Sequence, residues 1–442
     1  MYNVFLLSAC NLRCGYCFAD DVMGRGANQN NAGNNAAKSI NLEDYVRILD
    51  FLTASGVSIV SLVGGEPTLH PEFISIIQIS LDRGFTVSVK SNATWIGKIG
   101  REMRNLPDEG IHFLLNINHP TILGESLWKR VVRNAKQLKG KHVDFQFNID
   151  REDFDYRHIL ELASDVRPGK IVWSLSNMVK GDESQTFTDP LVIREQYAKQ
   201  ILEFVVDTGK LGIETVGVHG ITPCMFSEQD YNDLQANGGS LESTCNPVFD
   251  ILPDMSVLYC FPMSGFWDKK FIYEHNNLGE INREFQESLA GMRSDLYPLD
   301  ECDDCKHFLG EVCHGGCIAR HLDGQEKTDT WDDHFFDRIP LVAKRFKVEK
   351  MSDREMETYY ILDLLSEERF DIDQLLYSLL NSIDGQSAFG DLYQNVFQKV
   401  DNAPGIESIF QEIATNLISR GVLRIRPQQK NQILSEPLGE TV

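Results

Sequence analysis

The 442-residue sequence lacks any uninterrupted apolar run near the ~18 residues that a membrane-spanning helix requires. A basic N-terminal segment is missing too. MYNVFLLSACNLRC opens on one short apolar run and turns polar at once, which argues against a signal peptide and gives cytoplasm as the expected location. Positive charge is scarce, with 42 Lys+Arg against 65 Asp+Glu, so a nucleic-acid phosphate backbone is an unfavourable partner. Composition also excludes collagen, low-complexity disorder and coiled coil. The length allows about two to four domains. Cysteine is absent between Cys17 and Cys224 and again after Cys317.

The 10 cysteines therefore fall into two groups: Cys10, Cys14 and Cys17, then Cys224, Cys245, Cys260, Cys302, Cys305, Cys313 and Cys317. A disulfide framework fits poorly in a large chain with no export signal, where clustered thiols serve as metal ligands or catalytic groups. For the second group alone, zinc is the alternative, since Cys302-x-x-Cys305 with Cys313 and Cys317 could close a tetrahedral site.

Hydrophobic periodicity supplies the frame. A buried strand at 3–8 leads into the first thiols, and a Gly/Asn-rich loop over 19–38 separates them from a helix at 42–54. Strand and helix then alternate: strand 57–63, helix 71–83, strand 85–89, helix 97–106, strand 111–117, helix 125–138, strand 143–149, helix 155–165, strand 171–175 and helix 190–208. Six strands alternating with six helices predict parallel βαβ units and an α/β fold, a partial (β/α)6 TIM-like barrel. Chemistry in such folds sits on the loops after the strands. There lie the first three thiols, Gly64-Gly65-Glu66-Pro67 after the second strand, and the polar strand ends Ser91, Asn92, Asn116, Asn118, Asn148 and Ser176.

Cys10-x3-Cys14-x-Tyr16-Cys17, followed by Gly64-Gly65-Glu66-Pro67, resembles the two signature motifs of the radical S-adenosylmethionine (radical SAM) superfamily over about residues 3–210. The resemblance implies a 4Fe–4S cluster on Cys10, Cys14 and Cys17, with one iron open to S-adenosylmethionine. It further implies reductive cleavage to a 5′-deoxyadenosyl radical, with electrons from a flavodoxin- or ferredoxin-type donor. On the matched positions, Tyr16 would lie near the adenine, and Gly64, Gly65, Glu66 and Pro67 near the methionine amino group. Asn116 and Asn118 would contact ribose or carboxylate, with Asn92 and Asn148 as further cofactor contacts. The alternative for each Asn is a strand-end turn residue. His70, before Pro71, reads as a helix starter with no chemistry.

The later cysteines, with the Cys313-His-Gly-Gly-Cys317 core, resemble a SPASM domain, which implies one or two auxiliary 4Fe–4S clusters. Cys245, Cys260 and Cys317, with Cys224, would hold one; Cys302, Cys305 and Cys313 would hold the other. The family's last cysteine is absent, so the second cluster either keeps an open iron or takes His321, Asp323 or His334. The expected domains are a barrel at 1–215, the auxiliary-cluster domain at 216–325, and a helical, winged-helix-like region at 326–442. In that region Tyr359–Leu365, Leu375–Ile383, Leu392–Val400 and Ile406–Leu417 carry apolar residues at helical intervals, and a short strand follows Gly421. The region loosely resembles leader-peptide recognition modules; a helical cap or dimer interface is the alternative.

Enzymes of this kind mostly modify peptides, so the leading expectation is a maturase acting on a ribosomally made precursor peptide with a leader. One rival is a dehydrogenase of a small sugar-like alcohol. The sulfatase-maturing branch carries a basic Asp after the cysteine matching Cys260, where this chain has Phe261. A non-enzymatic metal scaffold would instead close its first site with four ligands. No catalytic base is assigned.

Overall fold

The computed structural model describes residues 2–17, 19, 38–176, 193–219, 221–245, 248–264, 269–285, 302, 305–310, 312–317, 340–342, 346–353, 356–363, 368–397, 406–419 and 422–425. The chain divides into two compact units, Met1–Glu287 with Gly310–Lys327, and Ser288–Leu309 with Thr328–Val442.

The first unit is built on an 11-stranded sheet. Eight strands run in sequence order and pair parallel with their neighbours: β1 (Tyr2–Phe5), β2 (Ile59–Val63), β3 (Thr86–Ser91), β4 (Ile111–Asn116), β5 (Val143–Ile149), β6 (Lys170–Leu175), β7 (Glu214–Val218) and β8 (Gly239–Leu241). On the other side of β1 lie β9 (Phe249–Ile251), parallel to it, then β10 (Ser256–Leu258) and β11 (Lys270–Phe271), each antiparallel to the strand before. Among the described residues the order is open, with β8 and β11 as its edges. This is the expected α/β architecture without closure.

The crossover helices form where apolar residues recur at helical spacing. In α1 (Leu42–Ala54) Tyr45, Ile48, Leu49 and Leu52 are buried, and Asn41 caps the first turn by accepting from the Asp44 N–H at 2.8 Å. There follow α2 (Phe73–Asp82), α3 (Gly97–Asn105), α4 (Pro120–Gln137), α5 (Arg157–Val166), α6 (Arg194–Lys210) and α7 (Glu228–Ala236). Helix α4 begins earlier than periodicity suggests. His119 accepts from the Thr121 N–H and Pro120 starts the turn, while Gly124 at φ 72° kinks the first turn away from the rest.

The second unit is more β-rich than expected. Over 359–363 the helical reading is incorrect: β13 (Phe346–Asp353), β14 (Met356–Asp363) and β15 (Arg369–Ile372) form an antiparallel sheet, and residues 364–365 lie outside the described residues. Cross-strand pairs decide the local state. Lys350 meets Glu357 at 2.6 Å, the Tyr360 hydroxyl donates to Glu349 at 2.6 Å, and Arg369 lies over the Tyr360 ring at 4.8 Å. Helices form at two of the expected places, α8 (Gln374–Ser382) and α9 (Ile406–Ser419), while the run expected at Leu392–Val400 gives, among the described residues, one α-turn at Phe389–Leu392 followed by a π-helical turn at Tyr393–Phe397. The late strand β16 (Leu423–Ile425) pairs antiparallel with β12 (Pro340–Val342). Ile361, Leu379, Leu380, Phe389, Phe410 and Leu423 form the buried core of this unit.

Candidate functional site at the strand ends

Beyond β1 the chain stays extended and bonded on both sides. Leu6 N–H donates to Val63 O at 2.9 Å, and Ser8 N–H to Lys38 O at 2.9 Å. This places the Cys10–Cys17 loop at the C-terminal end of the sheet, where Cys17 N–H donates to Cys14 O at 3.1 Å. Gly64 and Gly65 run against the segment that leads into this loop. Gly65 N–H donates to Leu7 O at 2.9 Å, and Glu66 N–H to Ala9 O at 2.9 Å. A Cβ on Gly65 would lie 2.3 Å from Ala9 O and 2.8 Å from Cys10 N; one on Gly64 would lie 2.9 Å from Leu7 O. The glycines are there because two backbones touch.

The sequence leaves Glu66 as a ligand contact, yet the structure gives its carboxylate a full set of protein partners. Oε1 accepts from Thr68 N–H at 3.2 Å, Thr68 Oγ1 at 2.6 Å and Ser91 Oγ at 2.7 Å, while Oε2 accepts from Asn92 N–H at 2.8 Å. Burial pushes the carboxyl up, and these donors oppose the rise. Pro67 opens the short turn Pro67–Leu69 that brings Thr68 into place. Asn92, held at its backbone by Glu66, reaches the thiol loop: Nδ2 donates to Asn11 Oδ1 at 3.0 Å and lies 3.9 Å from Cys10 Sγ. Thr94 completes the ring, accepting from Asn11 Nδ2 at 2.7 Å and donating to Asn92 Oδ1. Ala93, between them, sits at φ 60° and is clamped by Asn134, which donates to Ala93 O at 2.8 Å.

Tyr16 points its hydroxyl at the other asparagines. It donates to Asn118 Oδ1, which also lies 3.6 Å from Cys14 Sγ, and the nearby Asn116 and Asn148 side chains pull the pKa of the same phenol down. Asn148 is in turn fixed by Ser174 Oγ at 2.6 Å. Burial raises the phenol far above its ordinary range, so Tyr16 is neutral. Two buried amide atoms here, Asn116 Oδ1 and Asn118 Nδ2, have no hydrogen-bond partner among the described residues. Such atoms are costly unless a bound group meets them. Three thiols on one loop, a second loop in backbone contact and two unmet amide atoms fit a thiolate-held cluster with a polar organic ligand beside it. Asn11, Thr68 and Thr94 carry this arrangement and escape sequence reasoning; only Thr68, two residues past Glu66, stands in a suggestive position. His70 bonds Ile40 O at 2.8 Å and accepts from Glu72 N–H at 3.1 Å, the structural role expected of it.

Of the later cysteines, Cys224 is exposed in the turn Pro223–Met225, where its Sγ lies 3.3 Å from Thr222 Oγ1. The Cys313–Cys317 loop reverses through Gly315 at φ 75° and Gly316 at φ 102°, and it docks on the Cys245 segment. His314 N–H donates to Ser243 O at 3.2 Å, and Cys245 N–H donates to His314 Nδ1 at 3.0 Å. Cys260 follows β10, and next to it Phe261 is buried against Phe5 at 5.5 Å in an apolar cluster that includes Leu252, Leu258 and the edge of Cys17. At the position of the sulfatase-type base this chain has an apolar wall behind the thiol loop. Cys302 and Cys305, one turn apart with Cys305 N–H on Cys302 O at 3.3 Å, belong to the second unit, whereas Cys313 and Cys317 belong to the first. His321, Asp323 and His334 lie outside the described residues.

Comparison with known proteins agrees with this geometry. The chain is 28% identical over 158 residues to a 7-carboxy-7-deazaguanine synthase of Aquifex aeolicus, covering 35% of this chain and 63% of that protein. It is 31% identical over 93 residues to an S-adenosylmethionine-dependent nucleotide dehydratase of Selenomonas ruminantium, covering 21% and 29%. The chain thus spans less than two thirds of these curated relatives. In fold it is similar to SuiB of Streptococcus suis, solved bound to S-adenosylmethionine, with a TM-score of 0.50 and 19% identity over 72% of this chain and 73% of that one. SuiB has also been solved bound to its precursor peptide SuiA, at a TM-score of 0.50, 16% identity and 72% of each chain. Residues 4–166 match the Radical SAM superfamily, whose cofactors are a 4Fe–4S cluster and S-adenosylmethionine, and the thiol loop with its neighbouring unmet amide atoms fits both.

Proposed function

We propose that this chain is a radical SAM peptide maturase that removes a hydrogen atom from a ribosomally made precursor peptide, the first step of a crosslink or related modification. The observation that carries the radical chemistry is the joining of the Cys10 loop to the Gly64–Glu66 segment by direct backbone contact, with Tyr16 and its asparagines alongside. When bound, the cluster supplies the electron that cleaves S-adenosylmethionine to a 5′-deoxyadenosyl radical. The protein's own share is to hold Cys10, Cys14 and Cys17, to close the thiol loop with Asn11, Asn92 and Thr94, and to offer Asn116 Oδ1 and Asn118 Nδ2 to the ligand. Phe5, Leu252 and Phe261 keep water from the back of the loop.

Two features support a peptide over a small molecule. One is the fold shared with SuiB, which has been solved bound to a precursor peptide. The other is the β13–β14–β15 sheet of the second unit, where among the described residues β15 pairs on one side only and exposes Phe370, a place where an extended leader could add as a strand. The Cys224, Cys245, Cys260 and Cys317 segments of the first unit are read as the ligands of a SPASM-type auxiliary cluster. A flavodoxin- or ferredoxin-type protein is the electron donor. A small polar substrate is the second reading, favoured by the likeness to a protein named as a nucleotide dehydratase.

Anaerobic reconstitution tests the proposal. About eight irons per chain are expected, falling by about four in a Cys10/Cys14/Cys17→Ala variant that no longer makes 5′-deoxyadenosine. A genomic-neighbour peptide should raise 5′-deoxyadenosine release and lose hydrogen mass. Phe370→Asp should raise the KM for that peptide while leaving peptide-free cleavage unchanged. Zinc in place of iron with no 5′-deoxyadenosine sinks the radical reading; turnover indifferent to any peptide sinks the peptide reading alone.

A further inference from the structure

At the opposite end of the sheet from the thiols, three metal-ligating side chains meet. His112 is the second residue of β4 and Asp144 the second of β5, and His142 lies just before β5. One ligand atom from each falls within 4.8 Å of the others. His112 Nε2 and Asp144 Oδ2 are 3.0 Å apart, and the His112 and His142 rings are 4.4 Å apart at 42°. We propose that His112, His142 and Asp144 form a zinc-binding site with one position open to solvent, separate from every cysteine, at the end of the sheet away from the chemistry.

The donors are prepared for a metal. Backbone pairing fixes all three positions: His112 is in register with Ser88 of β3, Phe113 N–H donates to His142 O at 2.9 Å, and Asp144 is in register with Leu114. Each buried donor is also oriented from behind. Asp144 is almost fully buried, and its second oxygen, Oδ1, accepts from Lys170 N–H at 3.0 Å, which leaves Oδ2 for the cluster. His112 Nδ1 lies 3.5 Å from Ser88 Oγ, and the tautomer with its proton on Nδ1 presents the Nε2 lone pair toward Asp144. A buried carboxylate and an imidazole so oriented are the outer-sphere pattern of bound zinc. Zinc at about 2.0–2.1 Å from two imidazoles and one carboxylate takes a fourth ligand from solvent, and the exposed His142 side is open to water. The thiols cannot substitute here, because none lies on β4, β5 or the loop between them.

The experiment uses the full-length protein with its clusters reconstituted anaerobically, then loaded with zinc and freed of excess. One zinc per chain is expected, with X-ray absorption showing nitrogen and oxygen at about 2.0–2.1 Å and no sulfur at about 2.3 Å. Zinc should raise Tm. The exposed His142→Ala variant keeps the fold and should bind zinc at least about tenfold more weakly, and Ser88→Ala about tenfold more weakly. Sulfur-only ligation, or unchanged zinc affinity in His142→Ala, overturns the proposal. Iron content and 5′-deoxyadenosine in the same samples report separately on the radical site.

Discussion

The backbone N–H of Asn92 donates to Glu66 Oε2 at 2.8 Å, which ties the end of β3 to the end of β2 through a buried carboxylate. The same Asn92 reaches the thiol loop through Asn11. Glu66 therefore acts as a positioning residue between two loops. Every partner of its carboxylate is a donor, so an amide at this position must turn its NH2 toward one of them. Glu66→Gln is expected to cost about 1–3 kcal/mol. It should also loosen Asn92 from Cys10, so that the bound cluster's iron leaches faster in chelator. Unchanged Tm and iron retention would contradict this role.

A methyl group at residue 65 meets backbone, which cannot rotate aside: Ala9 O would be 2.3 Å away. Gly65→Ala is expected to cost about 1–3 kcal/mol or more as the two segments separate, and to abolish cluster assembly. Gly84→Ala provides the contrast, since a Cβ there meets nothing within 4 Å although its φ is +82°. It should lose about 1–2 kcal/mol and keep its full iron content. Equal iron in both variants would remove the close-approach argument.

Tyr16→Phe deletes only the hydroxyl that donates to Asn118 and lies near Asn116 and Asn148. Asn118 Oδ1 then loses its partner beside the first thiol loop, and the phenol's influence on Asn116 and Asn148 goes with it. S-adenosylmethionine binding is expected to weaken about tenfold, equal to about 1.4 kcal/mol, with a smaller change in Tm. Equilibrium dialysis with labelled cofactor measures the first and calorimetry the second. A large Tm loss with unaltered affinity would make the phenol a core residue.

The parallel frame was legible because long βαβ periodicity and buried apolar runs point the same way from β1 to α6. The thiol loop and Gly64–Pro67 were legible because their residue types are rare and their spacing fixed. What escaped was held by contacts distant in sequence. Strand β7 is short and contains Gly217, which reads as a breaker; in the fold a Cβ there would lie 2.5 Å from the ring of buried Trp173. Residues 359–365 carry spacing that suits a helix, yet Lys350 lies over the Tyr359 ring at 5.8 Å, and Glu349 and Arg369 meet Tyr360 from the neighbouring strands. Glu66 was placed correctly as a loop residue, but its four donors come from Thr68, Ser91 and Asn92, and their convergence needs the folded chain.

A buried polar chain also links three strands of the first unit. Lys90 Nζ donates to Asn3 Oδ1 at 3.0 Å, and Asn3 Nδ2 donates to Asp250 Oδ1 at 2.7 Å. Burial pushes Asp250 up to about 7, against the pull of the Asn3 bond and of Lys90, while burial drives Lys90 down. A carboxyl raised in the folded state holds its proton more tightly there than in the unfolded chain. Its contribution to stability is thus complete below the ordinary carboxylate range and is lost as pH rises through about 7. Asp250→Asn keeps the shape and stays uncharged at every pH. Between about pH 4 and 8 the wild type should lose Tm relative to this variant, by about 2–4 °C for each kcal/mol of differential stability. Calorimetry of both proteins across that range checks it. A pH-independent difference would mean that Asp250 is ionised throughout and paired with a charged Lys90.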